Sequence, residues 1–374
     1  MDKSVVIISG INLIDAGPLS VFTDFLDEII KSNYYSLSRF IILVGNKELF
    51  KKYNDYFEIV EFKKSKKNWL FRLYYEYFYF YFYSLKLKPE IWISMHDVTP
   101  NVRAKKRYVY CHNATPFSSM KLSEIKFGLK YYLFSKFYKY LYAINIKKNT
   151  YVIVQQDWLR KMFNEMFKID NIIVARPSYN SNSKVLKNMN NNSSKEKKSY
   201  LSFVFPSYPR YFKNFQLVCE ASKILDSMHV KGYKLFLTFD GNENNYSKML
   251  VKKYKNCENI VFCGFLSRDE LVKLYEVSDC LIFMSKLESW GMPITEYKTT
   301  NKIILVPKLP YAYETVGSYK NVKFLDSSNS IELSKVMKDI IDGVFVPETN
   351  VEYTVAEPYA ANWKSLCDFI FAVK

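Results

Sequence analysis

The order of apolar and polar segments predicts an α/β protein with two doubly wound, Rossmann-like domains that face one another across a cleft. Short apolar runs typical of buried parallel strands alternate with segments whose apolar residues recur at helical spacing. A polar segment at 178–199 interrupts this alternation once, and the alternation then starts again. With 374 residues, the chain is also longer than one compact domain usually is.

Both halves of the chain contain predicted strands. They are 5–10, 40–45, 57–62, 90–95, 107–112, 151–154 and 171–176 in the first half, and 200–205, 234–239, 259–265, 280–285 and 302–307 in the second. Helices are predicted at 18–31, 214–225 and 267–279, the last with Ser267 and Glu270 at the spacing of a capping box. We therefore expect domains at 1–178 and 200–350, a polar linker at 179–199, and a C-terminal helix within 351–374 that packs back on the first domain.

Composition and charge indicate the cellular compartment and the chemistry of the binding partners. The net charge of +17 favours anionic partners such as phosphorylated ligands, an acidic membrane surface or nucleic acid. An AT-rich genome is enough to explain the abundance of 32 Tyr and 29 Phe residues. Six scattered cysteines without a CxxC pair indicate free thiols in a reducing compartment. The N-terminal apolar run is too short for a signal peptide, and no purely apolar run reaches about 18 residues, so we expect a cytoplasmic protein.

The stretch SKLESWGMPITEYK (285–298) holds two glutamates on either side of a turn. Glu288 follows a predicted strand, at the sheet edge where open parallel sheets bind ligands. Gly291 allows close backbone approach, and Pro293 suits the first turn of a helix. Glu296 is expected in that first turn, where the helix dipole keeps its carboxylate ionised. The pair suits a ligand with hydroxyls and a phosphate, unless it is simply a solvated loop residue and a helix-start residue.

A second loop, FPSYPRYFKNFQ (205–216), joins another predicted strand of the same half to a helix. It places Arg210 and Lys213 just before the helix, where two cations would hold a diphosphate. The alternative is a pair of surface cations in a basic protein. Because both loops follow strands of the same half, both should open on the same edge of the sheet.

Together these motifs resemble the donor-binding domain of retaining glycosyltransferases of the GT-B fold, in the class called family 4. Glu288 and Glu296 match the E-x7-E pattern of that family, and Arg210 and Lys213 match its diphosphate pair. GFLSRDELVKLYEVSDCLIFMS (264–285) matches the segment before the E-x7-E loop, with Met284 in place of the usual proline. The resemblance covers about 200–330 well and the first half more loosely.

The resemblance implies a hexosyltransferase that uses a nucleotide-diphosphate sugar and retains the anomeric configuration. Glu288 would contact the hydroxyls of the transferred sugar, and Glu296 would accept a hydrogen bond from the nucleotide ribose. Arg210 and Lys213 would neutralise the leaving diphosphate. The other implied donor-site residues are Gly264 to Leu266, which would border the base, and Gly291 and Met292 in the E-x7-E loop.

The first half resembles the family at two places. SGINLIDAGPLSVF (9–22) matches its glycine-bearing first loop and implies Gly17 near the diphosphate. YCHNATPF (110–117) implies His112 beside the sugar and its anomeric carbon. The alternative for His112 is a cleft-lining residue without a chemical role. His96 and Asp97 either line the acceptor side or are structural.

The resemblance also implies partners. With protein cations on the diphosphate and no D-x-D motif, neither a metal nor a cofactor besides the donor is expected. A UDP-sugar is the first expectation for the donor, with GDP- and dTDP-sugars as alternatives. The size and composition fit bacterial enzymes that extend a lipid-linked oligosaccharide for O-antigen or capsule at the inner face of the cell membrane. The domain at 1–178 would bind the acceptor, and the domain at 200–350 the nucleotide sugar.

Two segments of the first half interleave basic and aromatic residues. Segment 63–88 has a lysine-rich start and then a dense aromatic run, and segment 126–148 places lysines among Tyr, Phe and Leu. Such helices can lie in an anionic membrane interface. The alternative is ordinary core-facing helices with snorkelling lysines.

Other functions fit parts of the sequence. The same fold could serve a transferase with a soluble acceptor, an epimerase, or a catalytically silent scaffold. The charge alone would suit a nucleic-acid-binding protein, but the sequence has no RRM-like aromatic pair, zinc motif or recognition-helix pattern, so no nucleic-acid partner is expected. Trp290 stands where the family commonly has a smaller or different aromatic residue, and it is a candidate for shaping the sugar pocket.

Overall fold

The computed structural model describes residues 3–14, 16–117, 125, 127–177, 199–348 and 350–372. The predicted linker at 179–199 therefore lies, up to residue 198, outside the described residues. The chain divides into two compact units. The first contains Met1–Ser118, Leu133–Ser178 and Val355–Lys374, and the second contains Ser119–Tyr132 and Tyr179–Thr354.

The strands and helices of the described residues follow in chain order. The strands are β1 (Val5–Gly10), β2 (Arg39–Val44), β3 (Glu58–Glu61), β4 (Ile91–Ser94), β5 (Lys106–Cys111), β6 (Tyr151–Val154), β7 (Ile172–Ala175), β8 (Leu201–Phe205), β9 (Tyr233–Leu237), β10 (Ile260–Phe262), β11 (Cys280–Ile282), β12 (Ile303–Pro307), β13 (Val322–Leu325) and β14 (Tyr359–Ala360). The α-helices are α1 (Ala16–Lys31), α2 (Trp69–Tyr74), α3 (Phe80–Leu87), α4 (Leu129–Ala143), α5 (Asp157–Phe167), α6 (Phe215–Ser227), α7 (Asn245–Tyr254), α8 (Arg268–Val277), α9 (Met292–Lys298), α10 (Pro310–Val316), α11 (Ser330–Ile341) and α12 (Trp363–Phe371).

The first unit is built on a parallel sheet in the order β14-β7-β6-β5-β4-β1-β2-β3. Its central strands are buried along almost their whole length, which explains why they read as unbroken apolar runs. Helix α12 closes this unit at the C-terminus. Its Trp363 ring lies 5.6 Å from the ring of Phe25 on α1, and its Asp368 accepts a hydrogen bond of 2.7 Å from Tyr34.

The second unit is built on a parallel sheet in the order β10-β9-β8-β11-β12-β13. Relative to the prediction, β10 ends at Phe262, because Gly264 adopts a φ of 74° that an extended strand does not allow. Strand β11 ends at Ile282, so residues 283–285 belong to the following loop. The predicted capping box is confirmed: the Ser267 side chain accepts from the Glu270 amide, and the Glu270 side chain accepts from the Ser267 amide.

The aromatic segment of the first unit is not one regular helix. It begins with a 3-10 turn at Lys63–Lys66, continues through α2, becomes a π-helix at Tyr75–Tyr79 and ends as α3. A π-turn widens the helix by one residue and shifts which side chains face the protein. Within the described part of the second basic-aromatic segment, Leu129–Ala143 form α4.

Candidate functional site

The loops after β8 and β11 meet at the point where the strand order of the second sheet reverses. Strands β9 and β10 lie on one side of β8, and β11, β12 and β13 lie on the other. In such a sheet the two connections diverge and leave a crevice at the carboxyl ends of the strands, which is where ligands bind. The amide of Lys286, after β11, donates a 2.8 Å hydrogen bond to the Phe212 carbonyl, after β8. The two loops are therefore fastened together at this crevice.

Lys213 and Glu288 form an ion pair between these loops. The exposed fraction of each side chain is small, 15% for Lys213 and 14% for Glu288. Asn214 holds the end of the Lys213 turn. It adopts a left-handed φ of 65°, and its side-chain amide donates to the carbonyls of Met284, at 3.2 Å, and Ser327, at 2.9 Å. A cation and a carboxylate, both predicted as site residues, are thus brought together in a shielded position.

Arg210 lies on the same loop, at the residue before the 3-10 turn Tyr211–Lys213. Its guanidinium is exposed, 5.7 Å from the ring centre of Tyr208 and 6.0 Å from that of Phe212. Aromatic faces orient a guanidinium without neutralising its charge. The structure places both predicted cations beside the crevice, but directs Lys213 toward Glu288 and Arg210 toward aromatic rings.

The loop that carries Glu288 is fixed by buried hydrogen bonds. Tyr311 donates to the Ser285 carbonyl at 2.7 Å, and Thr315 donates to the Trp290 carbonyl. The Trp290 indole is buried and donates to the Thr295 hydroxyl at 2.9 Å. This loop is therefore a rigid platform, in which Trp290 supports the start of α9.

Gly291 and Met292 lie where this loop enters α9. Gly291 has a φ of 91°, and an added Cβ would lie 3.3 Å from the Ile294 side chain. Glycine at this turn therefore meets a conformational and a steric requirement. Met292 is the first residue of the helix and is half-buried.

The environment of Glu296 differs from the predicted one. It is the fifth residue of α9, beyond the first turn, and it is buried rather than exposed to solvent at the helix start. Burial raises the pKa of this carboxyl, against the effects of Arg268 and Tyr275. Arg268 donates to one carboxylate oxygen at 2.7 Å, and Tyr275 donates to the other at 3.2 Å. The prediction that Glu296 lies in the first turn, under the helix dipole, is wrong, because its environment is set by burial and by an arginine from α8.

The predicted base-binding residues lie after β10. Gly264 has a φ of 74°, and its α-carbon faces the side chain of Asp240, which an added Cβ would approach to 3.6 Å. Leu266 is half-buried, two residues further along the loop. Both lie on the loop that leaves the carboxyl end of β10, and their contact with a base stays a prediction.

In the first unit, His112 follows β5 and is held by Asp97, which follows β4. One oxygen of the Asp97 carboxylate accepts hydrogen bonds from the amides of His112, at 2.8 Å, and Asn113, at 3.1 Å. The Tyr142 hydroxyl donates to the same oxygen at 2.9 Å. The other oxygen lies 3.6 Å from Nε2 of His112 and 3.4 Å from the Tyr138 hydroxyl. Asp97 thereby fixes the backbone at His112 and lies beside its ring.

His96 is completely buried beside the side chains of Arg72 and Glu76. Its Nε2 lies 3.2 Å from Glu76 and 3.1 Å from the Ser9 hydroxyl, and its carbonyl accepts from Arg72 at 2.9 Å. Burial lowers the pKa of His96 well below its usual value and raises the pKa of Glu76 to about 8. The structure favours the structural alternative for His96, because no part of its side chain reaches the surface.

The remaining predicted residue of the first unit is Gly17. It is the second residue of α1 and is exposed. Within the described part of the chain, no atom would lie within 4 Å of a Cβ added there. Its predicted position near a diphosphate stays a prediction.

Metal clusters and membrane-spanning helices are both absent from the residues that the structure describes. No group of three or more His, Cys, Asp or Glu side chains in them could hold a metal ion. No helix among them combines the length and the apolar character needed to cross a bilayer.

The part of the chain that carries the candidate site matches a known protein-family model. Residues 187–350 match the family model described as "Glycosyl transferases group 1". The matched range lies in the second unit and includes Lys213, Glu288 and Glu296. No curated protein matches the chain in sequence.

Similar solved structures cover most of the chain. A glycosyltransferase from Rickettsia africae is 16% identical, with 92% of this chain and 89% of that chain covered and a TM-score of 0.62. WaaG, a glycosyltransferase involved in lipopolysaccharide biosynthesis, is 12% identical, with 90% of each chain covered and a TM-score of 0.62. Anabaena HepE in complex with UDP-glucose is 12% identical, with 98% and 95% covered and a TM-score of 0.59. The two units therefore have the GT-B fold of glycosyltransferases, and the predicted fold class is confirmed.

The sequence did not predict three contacts of the candidate site residues. They are the direct pairing of Lys213 with Glu288, the enclosure of Glu296 by Arg268, and the Asp97 contacts that hold His112. The one sequence signal for any of them was that Lys213 and Glu288 both follow predicted strands of the same half, which placed their loops at the same edge of the sheet.

Proposed function

We propose that the protein is a retaining glycosyltransferase that moves a sugar from a nucleotide-diphosphate sugar to a lipid-linked oligosaccharide acceptor in surface polysaccharide synthesis, of the O-antigen or capsule type. The observation that carries the proposal is the Lys213–Glu288 pair at the switch point of the second sheet, inside the range that matches the group 1 glycosyl transferase model. A switch-point crevice that holds a cation and a carboxylate suits a ligand with a diphosphate at one end and hydroxyls at the other.

The proposed donor is a UDP-sugar, with GDP- and dTDP-sugars as alternatives. The complex of Anabaena HepE with UDP-glucose supports the first choice. Lys213 and Arg210 would neutralise the diphosphate, and Glu288, released from its ion pair, would accept hydrogen bonds from the sugar hydroxyls. Gly264 to Leu266 would border the base. Glu296 would face the ribose after a rearrangement of Arg268, because both of its oxygens now have protein donors.

The chemical step breaks the bond between the anomeric carbon and the diphosphate oxygen, which leaves an oxocarbenium-like sugar. Preorganised cations stabilise the negative charge that develops on the leaving diphosphate. That oxygen then takes the proton of the acceptor hydroxyl as the new glycosidic bond forms on the same face. Two protein cations at the diphosphate support metal-independent transfer, and His112 would stabilise the sugar near the reacting carbon.

The proposed location of the protein follows from the proposed lipid-linked acceptor. A lipid-linked acceptor lies at a membrane surface, so the protein would act as a peripheral protein at the inner face of the cell membrane. WaaG acts in lipopolysaccharide biosynthesis, which supports an acceptor of this class.

The test is the release of nucleoside diphosphate from each nucleotide sugar, with and without lipid extracted from cells that make surface polysaccharide. Acceptor-dependent release from one donor, with the sugar recovered on the lipid, is the expected result. Quantitative return of an isomerised sugar without acceptor would instead identify an epimerase. No turnover of any donor by the folded protein with such extracts would contradict the proposal.

A further inference from the structure

The helical part of the aromatic segment of the first unit turns two ionisable side chains, Arg72 and Glu76, inward. Arg72, Glu76, Phe80 and Ser84, at four-residue spacing, form its buried stripe. Arg72 and Glu76 contact the buried His96, and the Ser84 hydroxyl accepts a 2.8 Å hydrogen bond from an amide of the loop before β5. A helix that faces water shows the opposite pattern, with its apolar stripe buried.

The outward side of the same segment is apolar. Leu70, Tyr74, Phe78, Phe82 and Leu85 keep between 44% and 76% of their surface exposed. The rings of Tyr74, Phe78 and Phe82 form a continuous row. The ring centroids are 5.5 Å apart between Tyr74 and Phe78 and 5.3 Å apart between Phe78 and Phe82. Single exposed apolar residues are ordinary, but a contiguous apolar row marks an interaction surface.

Helix α4 adds a second exposed row. Leu133, Phe137 and Tyr140 are 43% to 60% exposed. The two helical segments pack together where the Trp69 ring lies 5.9 Å from Phe134 and 6.4 Å from Tyr138. We call the two rows together the aromatic face.

Lysines border the aromatic face. Lys63, Lys64, Lys66 and Lys67 are exposed immediately before α2. The Lys64 ammonium lies 5.7 Å from the Phe71 ring, and the Lys139 ammonium lies 5.2 Å from the Tyr140 ring. Apolar rings flanked by lysines are the composition of surfaces that lie in the headgroup region of anionic membranes.

We infer that the aromatic face docks on an anionic lipid bilayer, with its rings at the level of the headgroups and its lysines on the phosphates. A second copy of the chain is a poorer occupant, because a symmetric contact would bring two lysine clusters together within a chain of net charge +17. This inference deepens the proposed function and rests on it for the use of the contact, which is to bring the enzyme to a lipid-linked acceptor. The lipid contact itself is measured independently of sugar transfer.

The test is co-sedimentation of the purified protein with vesicles of phosphatidylcholine alone or with about one quarter phosphatidylglycerol. Wild-type protein is expected to sediment with the anionic vesicles and much less with the neutral ones. The Leu70→Gln/Phe78→Gln/Phe82→Gln variant should bind the anionic vesicles roughly tenfold more weakly or worse. These three side chains are exposed, so the buried stripe stays intact and thermal unfolding should change little.

The matched control is Leu37→Gln/Ile331→Gln/Val344→Gln, which alters three apolar side chains that are 58% to 63% exposed on other elements. It should bind vesicles like the wild type. Equal binding by the aromatic-face variant and wild type, or no preference of the wild type for anionic vesicles, would overturn the inference. A wild-type dimer that the aromatic-face variant converts to monomer, with vesicle binding unchanged, would identify a second copy as the occupant.

Donor binding separates the two proposals. Nucleotide-sugar binding by the aromatic-face variant should match that of the wild type, because the donor site is proposed in the other unit. Normal vesicle binding without any donor binding would leave the aromatic face standing and remove the proposed function. Normal donor binding without vesicle binding would remove the aromatic-face inference and leave the proposed sugar transfer standing.

Discussion

Glu288→Gln should separate nucleotide binding from sugar transfer. The Glu288 carboxylate forms an ion pair with the Lys213 ammonium. Both side chains are largely shielded from solvent, with 14% of Glu288 and 15% of Lys213 exposed. A diphosphate that binds Lys213 must displace this carboxylate and is repelled by it. Glutamine keeps the shape of the side chain and removes its charge, so the variant should bind free nucleoside diphosphate more tightly.

The size of the effect follows from the shielding of the pair. Two unit charges ~4 Å apart interact by about 1 kcal/mol in water and about 4 kcal/mol near a protein surface. Part of this interaction energy is offset because Lys213 is already desolvated. The net gain in binding free energy of the variant is then about 1–2 kcal/mol, or a roughly five- to thirtyfold higher affinity for nucleoside diphosphate. Transfer should slow by roughly 10²-fold, because the carboxylate that contacts the sugar in the transition state is lost.

Calorimetric titration with UDP, GDP and dTDP measures the affinity, and release of nucleoside diphosphate measures the turnover. Lys213→Ala should behave differently and weaken both. Glu220→Gln is the control, since Glu220 pairs with Lys253 elsewhere in the second unit and should change neither quantity. Weaker nucleotide binding by Glu288→Gln, or transfer at the wild-type rate, would refute this reasoning.

Three further substitutions test other parts of the site. Asp97→Asn should lower kcat about tenfold with little change in KM, because Asp97 holds the backbone that positions His112 rather than binding substrate. An equal loss in a His112→Ala background would contradict this. Glu76→Gln should flatten the pH dependence of stability between about pH 4.5 and 8. The pKa of Glu76 rises from 4.5 to about 8 on folding, so the folded state holds a proton that the unfolded state releases, and stability falls as pH rises through this window. Urea unfolding at several pH values would show or disprove this. Trp290→Phe removes the 2.9 Å hydrogen bond to Thr295 and should lower the free energy of unfolding by about 1 kcal/mol and change the ranking of donor sugars, and an unchanged ranking would count against a role in the sugar pocket.

Much of the second unit could be predicted because local signals and topology agree there. The apolar runs of its strands are buried on both faces, so they are visible in the sequence. Loops after neighbouring parallel strands share one edge, so the sequence alone was enough to place Lys213 and Glu288 at the same edge. Their direct pairing could not be predicted, because it depends on how Asn214 and the Phe212 carbonyl fasten the two loops.

Glu296 shows the limit of local reasoning. Helix-start rules consider one helix by itself, and they place a glutamate near Pro293 in a favourable dipole. The helix in fact begins at Met292, and Arg268 reaches Glu296 from another helix. Such a long-range contact has no local signal in the sequence.

The aromatic segment shows a second limit. Its composition indicated an amphipathic helix, but not which side would be buried. The π-turn at Tyr75–Tyr79 and the burial of Arg72 with Glu76 decide the orientation. Hydrophobic periodicity assigns only apolar residues to the core, whereas here Arg72 and Glu76 share the buried side with Phe80 and a row of apolar side chains stays exposed.

A thermal-shift screen against UDP-, GDP- and dTDP-sugars tests most directly whether the Lys213–Glu288 crevice is a nucleotide-sugar site. The wild type, the Arg210→Ala/Lys213→Ala variant and the control Lys253→Ala would be compared. We predict stabilisation by one nucleotide family, which is lost in the double variant and kept in the control. Folded wild-type protein that no nucleotide stabilises, or a stabilisation that survives in the double variant, would contradict the proposed donor site.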